Sequence, residues 1–233
     1  MDGERYIDVE GTLTRVIDVG EGDPLLLIHG GTYGSFWNAE DFALNVPELA
    51  RHFRVIAYDR IGMGFTDNPR RPEDYVIGTG VDHAAGLIRA LGLGRTHVLG
   101  HSRGGYIATR LVLEHPDLAD GLVIVDSSSL MTPANPQYDA WDRESRAIED
   151  PRERLRYLVT VNSFSGDHIT DDYLDTALEI ERLPRTQVAK GVMATQAPAF
   201  KADLVERQQE THAWIREGRL RHPTLVVWAY EDP

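Results

Sequence analysis

Val98-Leu99-Gly100-His101-Ser102-Arg103-Gly104-Gly105 is the stretch that decides the fold of this chain. Thr96 to Leu99 reads as a short buried strand, and Tyr106 to His115 carries helix-spaced apolar residues, Ile107 and Leu111 among them, until Pro116 stops it. Ser102 stands at the bend, in a Gly-x-Ser-x-Gly frame. A strand-to-helix turn this sharp forces its central residue into a strained backbone conformation. Glycines two residues to either side remove the side chains that would collide there. The hydroxyl is left exposed beside backbone N–H groups of the helix's first turn, which lack an intrahelical acceptor and favour negative charge. The bare pattern also occurs in ordinary glycine loops. The strand before it and the helix after it make Ser102 a candidate nucleophile.

The flanking sequence has the same strand-then-helix rhythm. Tyr6 to Val9 and Leu13 to Val19 alternate around Glu10-Gly11, which predicts an antiparallel hairpin. Leu25-Leu26-Leu27-Ile28 is a continuous apolar run, as expected for a strand covered on both faces, and it runs into His29-Gly30-Gly31-Thr32-Tyr33-Gly34. Helical spacing follows around Phe42 to Leu49. Val55 to Tyr58 is another buried strand, ending in Asp59-Arg60-Ile61-Gly62-Met63-Gly64, and a helix from about Val81 to Leu91 precedes the strand before Ser102. Leu122 to Val125 is the next strand, ending at Asp126. The alternation predicts a mostly parallel sheet with helices on both faces and ligands at the carboxyl ends of its strands.

From Ser127 to Leu220 the strand rhythm gives way to helices, expected near Arg152 to Val161, Asp171 to Arg182 and Phe200 to Arg216. After Pro223, Leu225 to Trp228 predicts a further buried strand, followed by Asp232. The expected organisation is a core over residues 1–126, a helical cap over 127–220, and a returning core strand with an acid loop over 221–233. No repeat or low-complexity tract stands out.

The 233 residues suit one domain with an insertion. A net charge of −13 repels phosphate backbones and anionic lipid, arguing against nucleic-acid or membrane binding. No apolar run has the length of a membrane span, and Met1 to Arg5 has no signal-peptide character, so a cytoplasmic location is expected. The absence of cysteine excludes disulfides, thiol nucleophiles and thiolate metal sites. The nine histidines show no helical metal-binding pair. No metal, nucleotide or other cofactor is implied.

The chain resembles the α/β-hydrolase superfamily, with the likeness running from Tyr6 to Pro233. It rests on Leu26-Leu27-Ile28-His29-Gly30-Gly31, on Tyr58 to Gly64, on Gly100 to Gly105, and on Pro223 to Trp228 with Asp232, in the family's order. The resemblance implies an α/β-hydrolase fold with a helical cap. It makes Ser102 the nucleophile and the N–H groups of Arg103 and Gly31 the oxyanion hole, with Thr32 replacing Gly31 should the loop be shifted by one residue. Asp232 would be the acid that orients the catalytic histidine, and Asp126 is the alternative acid. His29 is expected to hold its loop by hydrogen bonds, and Asp59 to organise a turn.

The family's base lies downstream of the acid, after one more helix and strand, and no histidine here occupies that position. The expectation is therefore that the last part of the core comes from a longer chain or from a complementing C-terminal fragment. These 233 residues alone should be nearly inactive, because losing the histidine costs about 10⁶ in kcat in a serine hydrolase. An uncovered sheet edge is expected as well.

Within the superfamily the chain looks most like the meta-cleavage-product hydrolases, which cut carbon–carbon bonds in ring-opened aromatic diketones, although His101 stands where they usually carry Asn. That likeness implies an arginine for the substrate carboxylate, with Arg182 and Arg185 as candidates. Trp141 is a candidate apolar contact for a small hydrophobic acyl substrate. An ester or lactone hydrolase would use the same machinery. A cofactor-free perhydrolase or haloperoxidase and a non-catalytic ligand receptor are the readings from other classes. The oligomeric state, a homo-oligomer included, stays open.

Overall fold

The computed structural model describes residues 3–131, 137–161 and 163–230. β1 (Glu4–Val9) and β2 (Thr12–Val19) form the expected hairpin, turning at Glu10 and Gly11, both at positive φ. β3 (Pro24–Ile28) leads through a 3₁₀ turn at Ala39–Phe42 and a single-turn helix α1 (Val46–Leu49) to β4 (Arg54–Tyr58). Then come α2 (Ile77–Ala90), β5 (Thr96–His101), α3 (Arg103–Glu114) and β6 (Ala119–Val125). Among the described residues α4 (Gln137–Ser145), α5 (Pro151–Thr160), α6 (Asp171–Arg182) and α7 (Pro184–Arg216) follow. β7 (Thr224–Val227) returns to the sheet.

Among the described residues seven strands lie in the order β1-β2-β4-β3-β5-β6-β7, parallel from β4 to β7 and antiparallel at β1 and β2. The register sets Ile28 against both Tyr58 and Gly100, and His101 against Val125. The loops after β3, β4, β5 and β6 therefore open at one edge of the sheet, where parallel sheets bind ligands.

Period-two alternation divides the apolar strand residues between two faces. Leu26, Ile28, Ile56 and Val98 pack with Val81, Leu87, Ile107 and Leu111 of α2 and α3. Leu25, Leu27, Val55 and Ala57 face the other way, onto Phe42 and Val46. A third cluster joins Phe36, in the loop after β3, to Leu155, Val159, Leu174 and Ile180 of α5 and α6. It fixes the helical segment over the strand ends.

Three details differ from the sequence expectation. The apolar spacing around Phe42 to Leu49 yields two short turns instead of one helix, because Asn38 caps the first by accepting from the Glu40 N–H and Pro47 starts the second. The last long helix begins at Pro184, well before Phe200, and runs through Pro198. An internal proline costs a helix about 3 kcal/mol, and burial of Ala189 and Phe200 in the main core offsets it. Finally, β7 forms but is not buried. Leu225 and Val226 are each 58% exposed, since among the described residues the strand pairs only with β6. No helix of the described residues is long and apolar enough to cross a membrane.

Candidate active site

Ser102 has φ 54° and ψ −124°, outside every region that L-residues occupy comfortably. Sheet and helix together impose this conformation. The Ser102 N–H donates to the Val125 carbonyl at 2.9 Å, continuing the β5–β6 ladder, while its own carbonyl already accepts the Gly105 N–H at 2.9 Å, opening α3. The glycine frame is sterically required. A Cβ on Gly100 would lie 2.1 Å from the Gly104 oxygen, and one on Gly104 would lie 2.0 Å from the Ile28 oxygen. Ser127, fully buried at the end of β6, adds a support that the sequence reading passed over, its hydroxyl donating to the Ser102 carbonyl at 2.6 Å. Its only signal in the sequence is its place two residues past the strand that ends at Val125.

The loop after β3 closes over the serine. A Cβ on Gly30 would stand 3.0 Å from the Ser102 Cβ and 3.4 Å from its Oγ, so this backbone passes directly beside the Ser102 side chain. Gly31 has φ 83°, and a side chain there would meet Trp37, Ser35 and Met63. His29 anchors the loop. Its Nε2 accepts the Arg60 N–H at 3.1 Å, which leaves Nδ1 to carry the proton and donate to the Gly30 carbonyl at 2.9 Å. Burial, reinforced by the Arg60 charge, holds its pKa well below the usual value, so the ring stays neutral and its one basic nitrogen is occupied. His83 is similarly engaged, between the Ile61 N–H and the Thr14 hydroxyl.

Asp59 organises its turn as expected: its carboxylate accepts the Ala39 and Phe65 N–H groups, both at 2.8 Å, and faces Arg15 at 3.5 Å. Asp126 sits at φ 41°, and its Oδ1 accepts the Ala229 N–H at 2.6 Å, tying the end of β6 to the chain after β7. Burial lowers the His101 pKa and the nearby Asp126 opposes the shift. Asp232 lies outside the described residues. No imidazole nitrogen among the described residues hydrogen-bonds the Ser102 Oγ, and none of these residues forms a His, Asp or Glu cluster able to hold a metal.

The candidate substrate contacts are scattered. Arg185, at the start of α7, donates to the Phe65 carbonyl at 2.5 Å and faces Asp67 at 3.4 Å, joining the helical segment to the core. Trp141 packs edge-on against Tyr138, and Arg182 lies in the last turn of α6. None of the three lines the small cavity beside α3, whose walls include Thr32, Tyr33, Arg60, Arg103, Ile107 and Phe200. Arg60 was therefore missed as a pocket residue, though a charge two residues past a buried strand at the binding edge was legible.

Asp41 also joins the two halves. Its Oδ1 accepts the Tyr173 hydroxyl of α6 at 2.9 Å, while Oδ2 is buried with no partner. Burial pushes this carboxyl up to about 8, so it is neutral at pH 7. The unfolded carboxyl titrates near pH 4, roughly. Across the window from there to 8 the unfolded chain releases a proton that the folded chain keeps. Stability is therefore full at the acid end and declines as pH rises. Asp41→Asn keeps the acceptor for Tyr173 and removes the titration. Denaturant titrations should find it equal to the parent near pH 4 and more stable by over about 2 kcal/mol at pH 8.5. Parallel pH profiles would show instead that Asp41 ionises normally.

Comparison with known proteins agrees with this geometry. Residues 23–233 match the family model described as the alpha/beta hydrolase fold. A 2-hydroxymuconate semialdehyde hydrolase of Pseudomonas sp. (strain CF600) is 31% identical over 98% of this chain and 77% of its own length. A 2-hydroxy-6-oxo-6-(2'-aminophenyl)hexa-2,4-dienoic acid hydrolase of Metapseudomonas resinovorans is 35% identical over 98% of this chain and 74% of that protein. Among solved structures, a serine-to-alanine variant of a meta-cleavage product hydrolase from Pseudomonas fluorescens IP01, complexed with acetates, superposes with a TM-score of 0.71. It is 26% identical, with coverage of 96% of this chain and 78% of that one. A serine bent out of the ordinary backbone regions at the carboxyl edge of a parallel sheet, in a chain with these relatives, places the protein in the α/β-hydrolase family.

Proposed function

We propose that the protein is a serine hydrolase that breaks a carbon–carbon bond of a ring-opened, vinylogous diketone by acyl transfer through Ser102. The observation that carries this reading is the Ser102 conformation, a strain of about 1–3 kcal/mol held in place by β5, β6 and α3. In this reading the hydroxyl oxygen adds to the keto carbon as a base takes its proton. The alkoxide that forms is held by the N–H groups of Arg103 and Gly31. Its collapse breaks the carbon–carbon bond, and the departing carbon keeps the electron pair and receives a proton through its enolate. Water then cleaves the ester on Ser102, giving a carboxylic acid and restoring the hydroxyl. Relatives that act on muconate semialdehyde and hexadienoic acids support the carbon–carbon substrate class over a simple ester.

The base in this reading is a histidine from outside residues 1–233, on a C-terminal continuation or a second polypeptide, since no imidazole described here reaches Ser102. Asp232 orients that histidine, with Asp126 as the alternative. The test is covalent. In the protein that carries its base, a fluorophosphonate probe should add to Ser102, located by peptide mass, and 2-hydroxymuconate semialdehyde should be consumed. Tight binding of that compound without adduct or turnover would replace the enzyme with a receptor. Turnover that required peroxide would replace it with a perhydrolase.

A further inference from the structure

Arg60 is 5% exposed, in the turn after β4, and of its guanidinium only Nη2 is engaged. That nitrogen donates to the Gly31 carbonyl at 3.0 Å and to the Met63 sulfur at 2.7 Å. Its Nε and Nη1 are buried with no acceptor among the described residues. Arg103 lines the same small cavity and lies over the Phe200 ring at 5.0 Å, and its guanidinium makes no hydrogen bond among the described residues. Burial, with Arg60 nearby, lowers the Arg103 pKa to about 10, so this side chain stays charged at neutral pH.

Elsewhere in this protein buried arginines are neutralised: Arg15 faces Glu4, Glu40 and Asp59, and Arg110 faces Glu114 and Glu210. No carboxylate pairs with Arg60 or Arg103 among the described residues. Asp41, the carboxyl whose charge would reach Arg60, is held protonated at pH 7 by burial. The free space takes one water-sized particle, and the remaining walls are largely apolar, with Ile61, Ile77 and Ile107. A water there accepts from one or two N–H groups and leaves both charges standing. An organic acid brings a carbon skeleton for which there is no room. A monatomic anion supplies what the cavity lacks: it accepts from several directions at once and cancels charge where burial makes an unpaired ion costly.

We propose that the cavity between the turn after β4, α2 and the start of α3 is a halide site that holds one chloride ion between the Arg60 and Arg103 side chains. The ion is a structural ligand and takes no part in the chemistry, so the site stands or falls independently of how Ser102 reacts. Arg60 reaches from this cavity to the Gly31 carbonyl, and an ion on its other N–H groups fixes the side from which Nη2 supports the loop after β3. Because the unfolded chain has no such site, chloride stabilises the folded protein by mass action.

The test compares thermal unfolding in sodium chloride and in sodium gluconate at equal ionic strength. Gluconate is too large for the cavity, and it matches the screening of the −13 net charge. With chloride about a hundredfold above its Kd, the parent Tm should exceed the gluconate value by about 5–10 °C. Arg103→Met should lose that difference. In gluconate it should be at least as stable as the parent, since one of two like charges is gone. Arg60→Lys, which keeps the charge but not the fork, should raise the chloride concentration needed for half the effect by about tenfold or more. Crystals soaked in sodium bromide should show an anomalous peak between the two guanidiniums. Equal Tm of the parent in the two salts overturns the site, and a bromide peak in that case is an adventitious ion only. A cavity without a bromide peak overturns it too, as does a chloride effect that survives in Arg103→Met. Should that variant not fold, the bromide map and the parent's two Tm values decide.

Discussion

Ser102→Ala in the protein carrying its base is expected to lower kcat by about 10⁶, as in other enzymes that lose an acyl-transfer serine. Binding of substrate should change little, because the proposed oxyanion donors, the N–H groups of Arg103 and Gly31, are backbone groups and stay in place. Ser102→Gly should abolish turnover equally and also stabilise the fold. At φ 54° and ψ −124° a serine side chain is strained and glycine is not, so the gain should be of order 1–3 kcal/mol, reduced by the entropy glycine adds to the unfolded chain. The two variants together separate chemistry from strain. Both inactive with only the glycine variant more stable is the expected pattern, read from turnover and denaturant titration. Retained turnover in Ser102→Ala would end the acyl-enzyme reading. A glycine variant less stable than the alanine variant would mean that the backbone strain is absent.

Most of the frame was legible because it is written in local patterns. Four-residue apolar runs such as Leu25 to Ile28 mark strands covered on both faces, and the turn at Ser102 declares itself through Gly100 and Gly104. What sequence left dark depends on contacts between distant segments. The last helix is expected from Phe200, just after Pro198, yet the buried residues on either side of that proline keep α7 continuous from Pro184. Leu225 to Trp228 reads as a buried strand by composition, and its exposure in the structure agrees instead with the expectation of an uncovered sheet edge. The same holds at the site. Ser102 and the His29 loop were found by motif, whereas Arg60, Ser127 and Asp41 matter through partners 25 to 132 residues away, as Ser127 does through Ser102 and Asp41 through Tyr173. Arg182 and Arg185 are candidates through family likeness alone, which does not say what each one pairs with. Pairing of Arg185 with Phe65 and Asp67 became visible only with the core loop beside it.

Gly104→Ala should be among the most damaging single-methyl additions in this protein. The new carbon would lie 2.0 Å from the Ile28 oxygen and 2.7 Å from the His29 oxygen, both backbone atoms, so no side chain can rotate away. Relief requires the start of α3 to lift off β3, which separates the His29 loop from Ser102 and opens the main core at Ile28 and Ile107. Overpacking in a core costs about 1–3 kcal/mol where neighbours can yield, and here they cannot. A loss above about 3 kcal/mol is expected, which lowers Tm by roughly 6–12 °C in a chain of this size. Gly191→Ala is the counterpart. It lies inside α7 with nothing within 4 Å of the added carbon, so helix propensity alone acts, and a gain of about 0.5–1 kcal/mol is expected. Opposite signs from the same chemical change would locate the cost in the close approach of α3 to β3. If both variants shifted Tm in the same direction, the tight elbow described for residues 100 to 105 would have to be wrong.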